Sequence, residues 1–184
     1  PGIHNVYNAL AGVVVGMELG IPFDKIRQGL ETVEGVQRRL EIKGEVRGVI
    51  VVDDYGHHPT EIKLTLQTVK KIWPGRRIVV AFQPHRYTRI NALFDDFAQA
   101  FYQSDVLVVL PIYSAGEKSI EGIDGHGICK AIRAHGHREV VFSEGSEAVL
   151  YLQKNLKKED ILLTLGAGDV WKVGEEVLKK MKSD

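Results

Sequence analysis

At 184 residues the chain is long enough for one good-sized domain, or for a domain plus part of another, with a core that needs no covalent staples. Lys plus Arg and Asp plus Glu both total 24, so no overall basic field draws the chain to nucleic acid or to an anionic membrane, and any anion site has to be local. The single cysteine, Cys129, excludes an internal disulfide and a multi-cysteine zinc site and points to a reducing compartment; its neighbour Ile128 marks it as a core thiol.

From Asn5 to Leu19 the residues Val6, Ala9, Leu10, Val13, Val14 and Met17 recur at helical spacing, and Gly20 and Pro22 end the pattern. A second short helix is expected from Phe23 to Val33. The composition then shifts, and a domain boundary is placed so that residues 1–37 belong to one unit and 38–184 to another. Strands are expected near 39–46, 49–54, 77–82, 106–110, 139–142 and 161–165, the last five as short apolar runs of the kind buried on both faces of a parallel sheet. Helical patterns fall between and after them, near 60–73, 89–103, 124–135, 146–157 and 169–182. The alternation predicts an α/β fold: a Rossmann-like, mostly parallel, doubly wound sheet with helices on both faces and right-handed crossovers. Only Arg47 and Gly48 join the first two strands, so those two should form an antiparallel hairpin.

No apolar run approaches the length of a membrane span and the first residues do not read as a signal peptide, so a cytoplasmic protein is expected. A chain that opens on Pro1 reads as cut from something longer.

Two polar clusters sit at strand ends, where open α/β sheets bind ligands. The first is Asp53-Asp54-Tyr55-Gly56-His57-His58-Pro59-Thr60-Glu61, which joins carboxylates, a phenol and two imidazoles. A helix start explains Pro59 and Glu61 but not the other four polar side chains. Its order is not His-Glu-x-x-His, so the histidine pair is not read as a metal site. The second is Gln83-Pro84-His85-Arg86-Tyr87-Thr88-Arg89, where Arg86 and Arg89, three apart at a helix start, suit a carboxylate or phosphate. Read alone, Asn5 is a helix cap, Gly166-Ala167-Gly168-Asp169 a tight turn lacking the third glycine of a dinucleotide fingerprint, and Ala115-Gly116-Glu117-Lys118-Ser119 a loop without the Gly-Lys pair of a phosphate loop.

Pro1-Gly2-x-His4-Asn5-x-x-Asn8, Gly35-Val36-Gln37-Arg38-Arg39, the 53–61 cluster and the 83–89 cluster, in that order, closely resemble the Mur ligase family, over essentially the whole chain. The likeness is to the branch that joins L-alanine to UDP-N-acetylmuramate in peptidoglycan precursor synthesis. It implies residues 1–37 as the tail of a central ATP-binding domain and 38–184 as the C-terminal, amino-acid-binding domain. It further implies ATP and Mg2+ as cofactors, with the metal's ligands on the missing central domain, and an acyl-phosphate intermediate attacked by the amine of alanine. By the same resemblance Asn5 and Asn8 contact adenine, Arg39 lies toward phosphate and Asp54 toward the ribose. Tyr55, His57, His85, Arg86 and Arg89 line the alanine pocket, with His57, His85 and Arg86 catalytic. The family's phosphate loop and its metal-binding Glu and His have no counterpart here, so the 184 residues alone are expected to be inactive. The alternatives are the related ligase that recycles murein peptides, a non-catalytic Rossmann-like binding module and, more remotely, a metal-dependent hydrolase.

Overall fold

The computed structural model describes residues 3–32 and 36–183, and the side chains of residues 3–5 lie outside that description. The chain divides into two units, Pro1–Gln37 and Arg38–Asp184. In the first, α1 (Ile3–Glu18) and α2 (Phe23–Glu31) form a helical pair. Gly20, at φ 70°, ends α1 in the left-handed region that glycine occupies without strain. Gly16 lies so close to Ile26 that a Cβ there would stand 2.7 Å from its side chain. Packing against α2 leaves much of α1 uncovered: Val6, Leu10, Val14 and Met17 are all exposed by half or more.

The second unit begins with a hairpin. β1 (Glu41–Val46) and β2 (Val49–Asp54) pair antiparallel through Arg47 and Gly48, both at positive φ, 52° and 79°, which is the twist a two-residue hairpin turn needs. The chain continues through α3 (Pro59–Ile72), β3 (Ile78–Phe82), α4 (Tyr87–Ala92), α5 (Phe94–Ala98), β4 (Val106–Val109), α6 (Gly125–Ala134), β5 (Val140–Phe142), α7 (Gly145–Asn155), β6 (Ile161–Leu165) and α8 (Trp171–Ser183). Every pairing except the hairpin is parallel, and the strand order is β1-β2-β6-β3-β4-β5.

Alternation along the strands sorts the core into two layers. Val52, Val80, Phe82, Leu107 and Leu163 pack with Ile62 and Leu66 of α3, Ile90 of α4, Phe97 of α5 and Ile128 of α6. Val51, Val79, Val108 and Leu162 pack with Leu152 of α7 and Val177 of α8. The chain therefore runs outward from β2 to β5 along one face and returns through α7 on the other, inserting β6 between β2 and β3. That return makes a topological switch point, and Asp54, Leu165 and Phe82, in register across the three strands, mark its carboxyl edge.

One expected element divides. The pattern over 89–103 is not one helix: α4 stops at Ala92, Leu93 takes φ −122° and ψ 26°, and α5 restarts at Phe94 and ends at Ala98. The apolar period survives the break because Phe97 and Phe101 still reach the same core, so the sequence carries no Gly or Pro at the interruption. Among the described residues no helix is long and apolar enough to cross a membrane.

Candidate functional site

The loop after β2 is shaped by its own helix start. His58 is the N-cap of α3 and accepts from the Thr60 amide, Pro59 takes the first helical position, and Glu61 reaches back to the amides of His57 and His58 at 3.0 and 3.1 Å. This capping box assigns Pro59, His58 and Glu61 to the helix start and leaves Tyr55 and His57 on the outer side of the loop, with Tyr55 37% exposed. Their rings meet edge to face at 5.3 Å.

The loop after β3 brings the second cluster to the same edge. The His57 and His85 rings lie 5.6 Å apart, and Arg89 Nη1 is 3.3 Å from His85 Nδ1. Arg86, the N-cap of α4, takes φ 69°, a conformation that strains a side-chain-bearing residue, and its amide donates to the Tyr113 carbonyl at 2.9 Å. Burial, followed by the charges of His57, Arg89 and Arg86, pushes the His85 pKa down. The structure thus brings Tyr55, His57, His85, Arg86 and Arg89 together at the ends of β2 and β3, on either side of β6.

The nucleotide-side expectations fare differently. Arg39 is exposed, with its guanidinium 5.8 Å from the Tyr55 ring centroid. Asp54 is only 4% exposed: Oδ1 accepts from the Gly56 amide and the Thr65 hydroxyl at 2.9 and 3.1 Å, and Oδ2 from the Leu40 amide at 3.0 Å. Burial pushes its pKa up against those bonds. Its carboxylate, bonded to the Leu40 amide, holds the loop that carries Arg39. Asn8 is exposed on α1, within the first unit, and the Asn5 side chain lies outside those described.

Four groups that the sequence left unassigned support the site. Arg38, adjacent to the chosen Arg39, donates to buried Asp53 at 2.9 Å and to the carbonyls of Gly166, Ala167 and Gly168. Those carbonyls turn toward a cation, so the 166–169 segment is a turn rather than an anion cradle. Gln83 bridges the same turn: its amide NH2 donates to Asp169 at 2.9 Å and its carbonyl accepts from the Val170 amide at 3.1 Å. Tyr113 stacks on His85, with ring centroids 5.4 Å apart and planes 7° from parallel. Glu117, in the loop that lacks the Gly-Lys pair of a phosphate loop, accepts from the Thr88 amide and hydroxyl at 3.1 and 2.8 Å and lies 3.8 Å from Arg86 Nε. Among the described residues no group of three or more His, Cys, Asp or Glu side chains is arranged to hold a metal ion.

The family model described as Mur ligase, glutamate ligase domain, matches residues 38–168 and spans all of these groups in the second unit up to Gly168. The chain belongs to the Mur ligase family. Among its Mur ligase relatives, the UDP-N-acetylmuramate--L-alanine ligase of Desulfosudis oleivorans is 66% identical over 179 residues, covering 97% of this chain and 39% of the relative. That of Geobacter sulfurreducens is 51% identical, covering 99% of this chain and 40% of the relative. The crystal structure of the UDP-N-acetylmuramate-alanine ligase MurC from Thermotoga maritima superposes with a TM-score of 0.79 at 32% identity, over 100% of this chain and 39% of that one. The chain therefore spans about two fifths of the length of the Mur ligases it matches.

Proposed function

We propose that this chain is the C-terminal portion of a cytoplasmic, ATP-dependent ligase that joins L-alanine to UDP-N-acetylmuramate in peptidoglycan precursor synthesis, and that its second unit receives the amino acid. The observation that carries the reading is the convergence of two guanidinium groups and two imidazoles, Arg86, Arg89, His57 and His85, at the switch point of a parallel sheet, in a chain 66% identical to a ligase of that name.

The chemistry follows from the groups present. Amide formation needs the muramyl carboxylate activated as an acyl phosphate, then attacked by a neutral amine through a tetrahedral intermediate. Arg86 and Arg89 offset the charge of the alanine carboxylate and of the acyl phosphate, a stabilisation that grows as charge develops. Tyr55, His57 and His85 fix the amine near the carbonyl and remove much of the entropic cost of the encounter. Arg39 is assigned to the nucleotide phosphates, with Asp54 holding its loop from beneath; Asn5 and Asn8 are assigned to the adenine. The first unit is read as the tail of the central ATP-binding domain, and the half-exposed apolar side chains of α1 fit a helix pair that belongs to a larger body. Mg2+ accompanies ATP in this reading, with its ligands on the central domain; among the described residues no cluster of ligands is arranged to hold it.

The test is ADP release by the longer protein that carries this sequence. Release that requires ATP, UDP-N-acetylmuramate and L-alanine together is expected. Release driven by a tripeptide in preference to alanine would transfer the chain to the recycling ligases, and no turnover with any acceptor would leave only a binding module.

A further inference from the structure

His57 and His85 are the same residue type 5.6 Å apart, yet their Nδ1 atoms meet opposite partners. His57 Nδ1 lies 3.0 Å from the Tyr55 carbonyl oxygen and 3.8 Å from Glu61 Oε2. Both partners are acceptors, so Nδ1 carries the proton and Nε2 is left with its lone pair. His85 Nδ1 faces Arg89 Nη1 at 3.3 Å, and a guanidinium only donates. His85 Nδ1 is therefore the acceptor and its proton sits on Nε2. Neither Nε2 makes a hydrogen bond among the described residues.

We propose that the two rings are held in opposite neutral tautomers, His57 presenting a proton-accepting Nε2 and His85 a proton-donating Nε2–H, so that His57 takes a proton from the incoming ammonium group while His85 donates a hydrogen bond to a substrate oxygen. The catalytic part rests on the ligase reading above; the tautomer part does not.

The surroundings differ in the same sense. Glu61 of α3 faces His57, its carboxylate 3.8 Å from Nδ1. His57 also meets Tyr55, over whose ring the Arg38 and Arg39 guanidinium groups lie at 5.1 and 5.8 Å. His85 is faced by Arg86 and Arg89, by His57 and by the Tyr113 ring, with Glu117 an opposing charge. Two like groups in unlike surroundings are placed to divide proton-accepting and proton-donating roles. The step balances. The α-ammonium group passes one proton to His57 Nε2. The freed nitrogen lone pair bonds to the acyl carbon, the carbon–oxygen bond to phosphate breaks with its electrons leaving on phosphate, and the second nitrogen proton departs with that phosphate. Arg89 enters as a positioning residue, because it sets the His85 tautomer.

The test is a long-range proton–nitrogen correlation spectrum of this 184-residue chain, labelled at histidine, near pH 7.5. Nδ1-protonated His57 and Nε2-protonated His85 are expected; one shared tautomer, or a cationic His85, overturns the proposal. Arg89→Met should abolish the His85 preference and raise the pH at which it protonates, and Arg89→Lys, which keeps a donor, should restore both. An unchanged His85 in a folded Arg89→Met chain would show that Arg89 only packs. In the longer ligase, His57→Gln should lower kcat for amide formation on the order of 100-fold or more with a smaller effect on the ATP KM; a change confined to ATP would remove His57 from the proton transfer. Absence of alanine-dependent turnover in the unsubstituted ligase would overturn the ligase reading itself, while the spectrum would still decide the tautomers.

Discussion

Replacing Arg38 by Ala should destabilise the second unit far more than replacing its neighbour Arg39. The Asp53 side chain is 1% exposed and that of Arg38 21%, and their Nε to Oδ2 distance is 2.9 Å. Removing one partner of a buried pair costs about 3–5 kcal/mol because the other charge stays desolvated. Thr164 Oγ1 still donates to Asp53 at 2.6 Å, which places the expectation at the lower end, about 3 kcal/mol. The guanidinium also leaves three carbonyls in the 166–168 turn without their donor. Arg38 sits at φ 61°, where Ala is strained to the same degree, so the difference reports the guanidinium and not the backbone. With a urea slope of about 2 kcal/mol per molar, the midpoint should fall by about 1.5 M, whereas Arg39→Ala should stay within about 0.5 kcal/mol. Trp73 and Trp171, the two tryptophans, both lie in the second unit, so their fluorescence follows that unit alone. A midpoint shift under 0.5 M for Arg38→Ala, on the order of 1 kcal/mol at that slope, would refute the reasoning.

Burial lowers the pKa of His137, whose Nε2 pairs with Ser104 Oγ at 2.9 Å while Nδ1 is buried with no hydrogen-bond partner among the described residues. The unfolded chain therefore binds this proton more readily than the folded one, and stability should fall as pH drops through the ordinary value of 6.5, levelling off only below the depressed folded value. His85 is shifted the same way and adds to the same window. Urea midpoints between pH 8 and 5 should show the loss, and His137→Phe should remove part of it; an unchanged slope would mean that His137 does not contribute. A Cβ at Gly168 would stand 2.3 Å from Gln83 Oε1 and 2.9 Å from the Tyr113 ring, the ring stacked on His85. Gly168→Ala should therefore raise the alanine KM of the longer ligase by displacing Tyr113, and an unaltered KM would separate Tyr113 from the pocket. Gly125→Ala, whose Cβ would meet the Phe142 ring, should cost about 1–3 kcal/mol of stability by overpacking, read as a lowered urea midpoint.

Much of the fold was legible because a buried strand and an amphipathic helix announce themselves by period. The apolar runs at Val49–Asp54, Ile78–Phe82 and Ile161–Leu165 became strands, and Arg47-Gly48 became the hairpin turn. Period says nothing about strand order, so the insertion of β6 between β2 and β3, which separates the two polar strand ends, had no signature. At the site, Tyr55, His57, His85, Arg86 and Arg89 could be picked out because polar side chains gather where apolar strands stop. Arg38 and Arg39 are indistinguishable by type; positive φ at Arg38 and Leu40 decides which one turns inward. Nothing in the sequence signals that the Asp54 carboxylate also accepts from the Leu40 and Gly56 amides. Glu117 lies 29 residues from Thr88, and the bridge between His85 and Tyr113 helps bring that loop back to the site.

The central claim is that the second unit receives the amino acid through Arg86. Steady-state kinetics of Arg86→Ala in the longer ligase measure it directly. Loss of one charge-assisted contact of about 1.5–3 kcal/mol should raise the alanine KM or lower kcat/KM for alanine by about 10- to 150-fold, with the KM for ATP nearly unchanged. A variant whose ATP affinity falls while its alanine kinetics stay intact would contradict the claim.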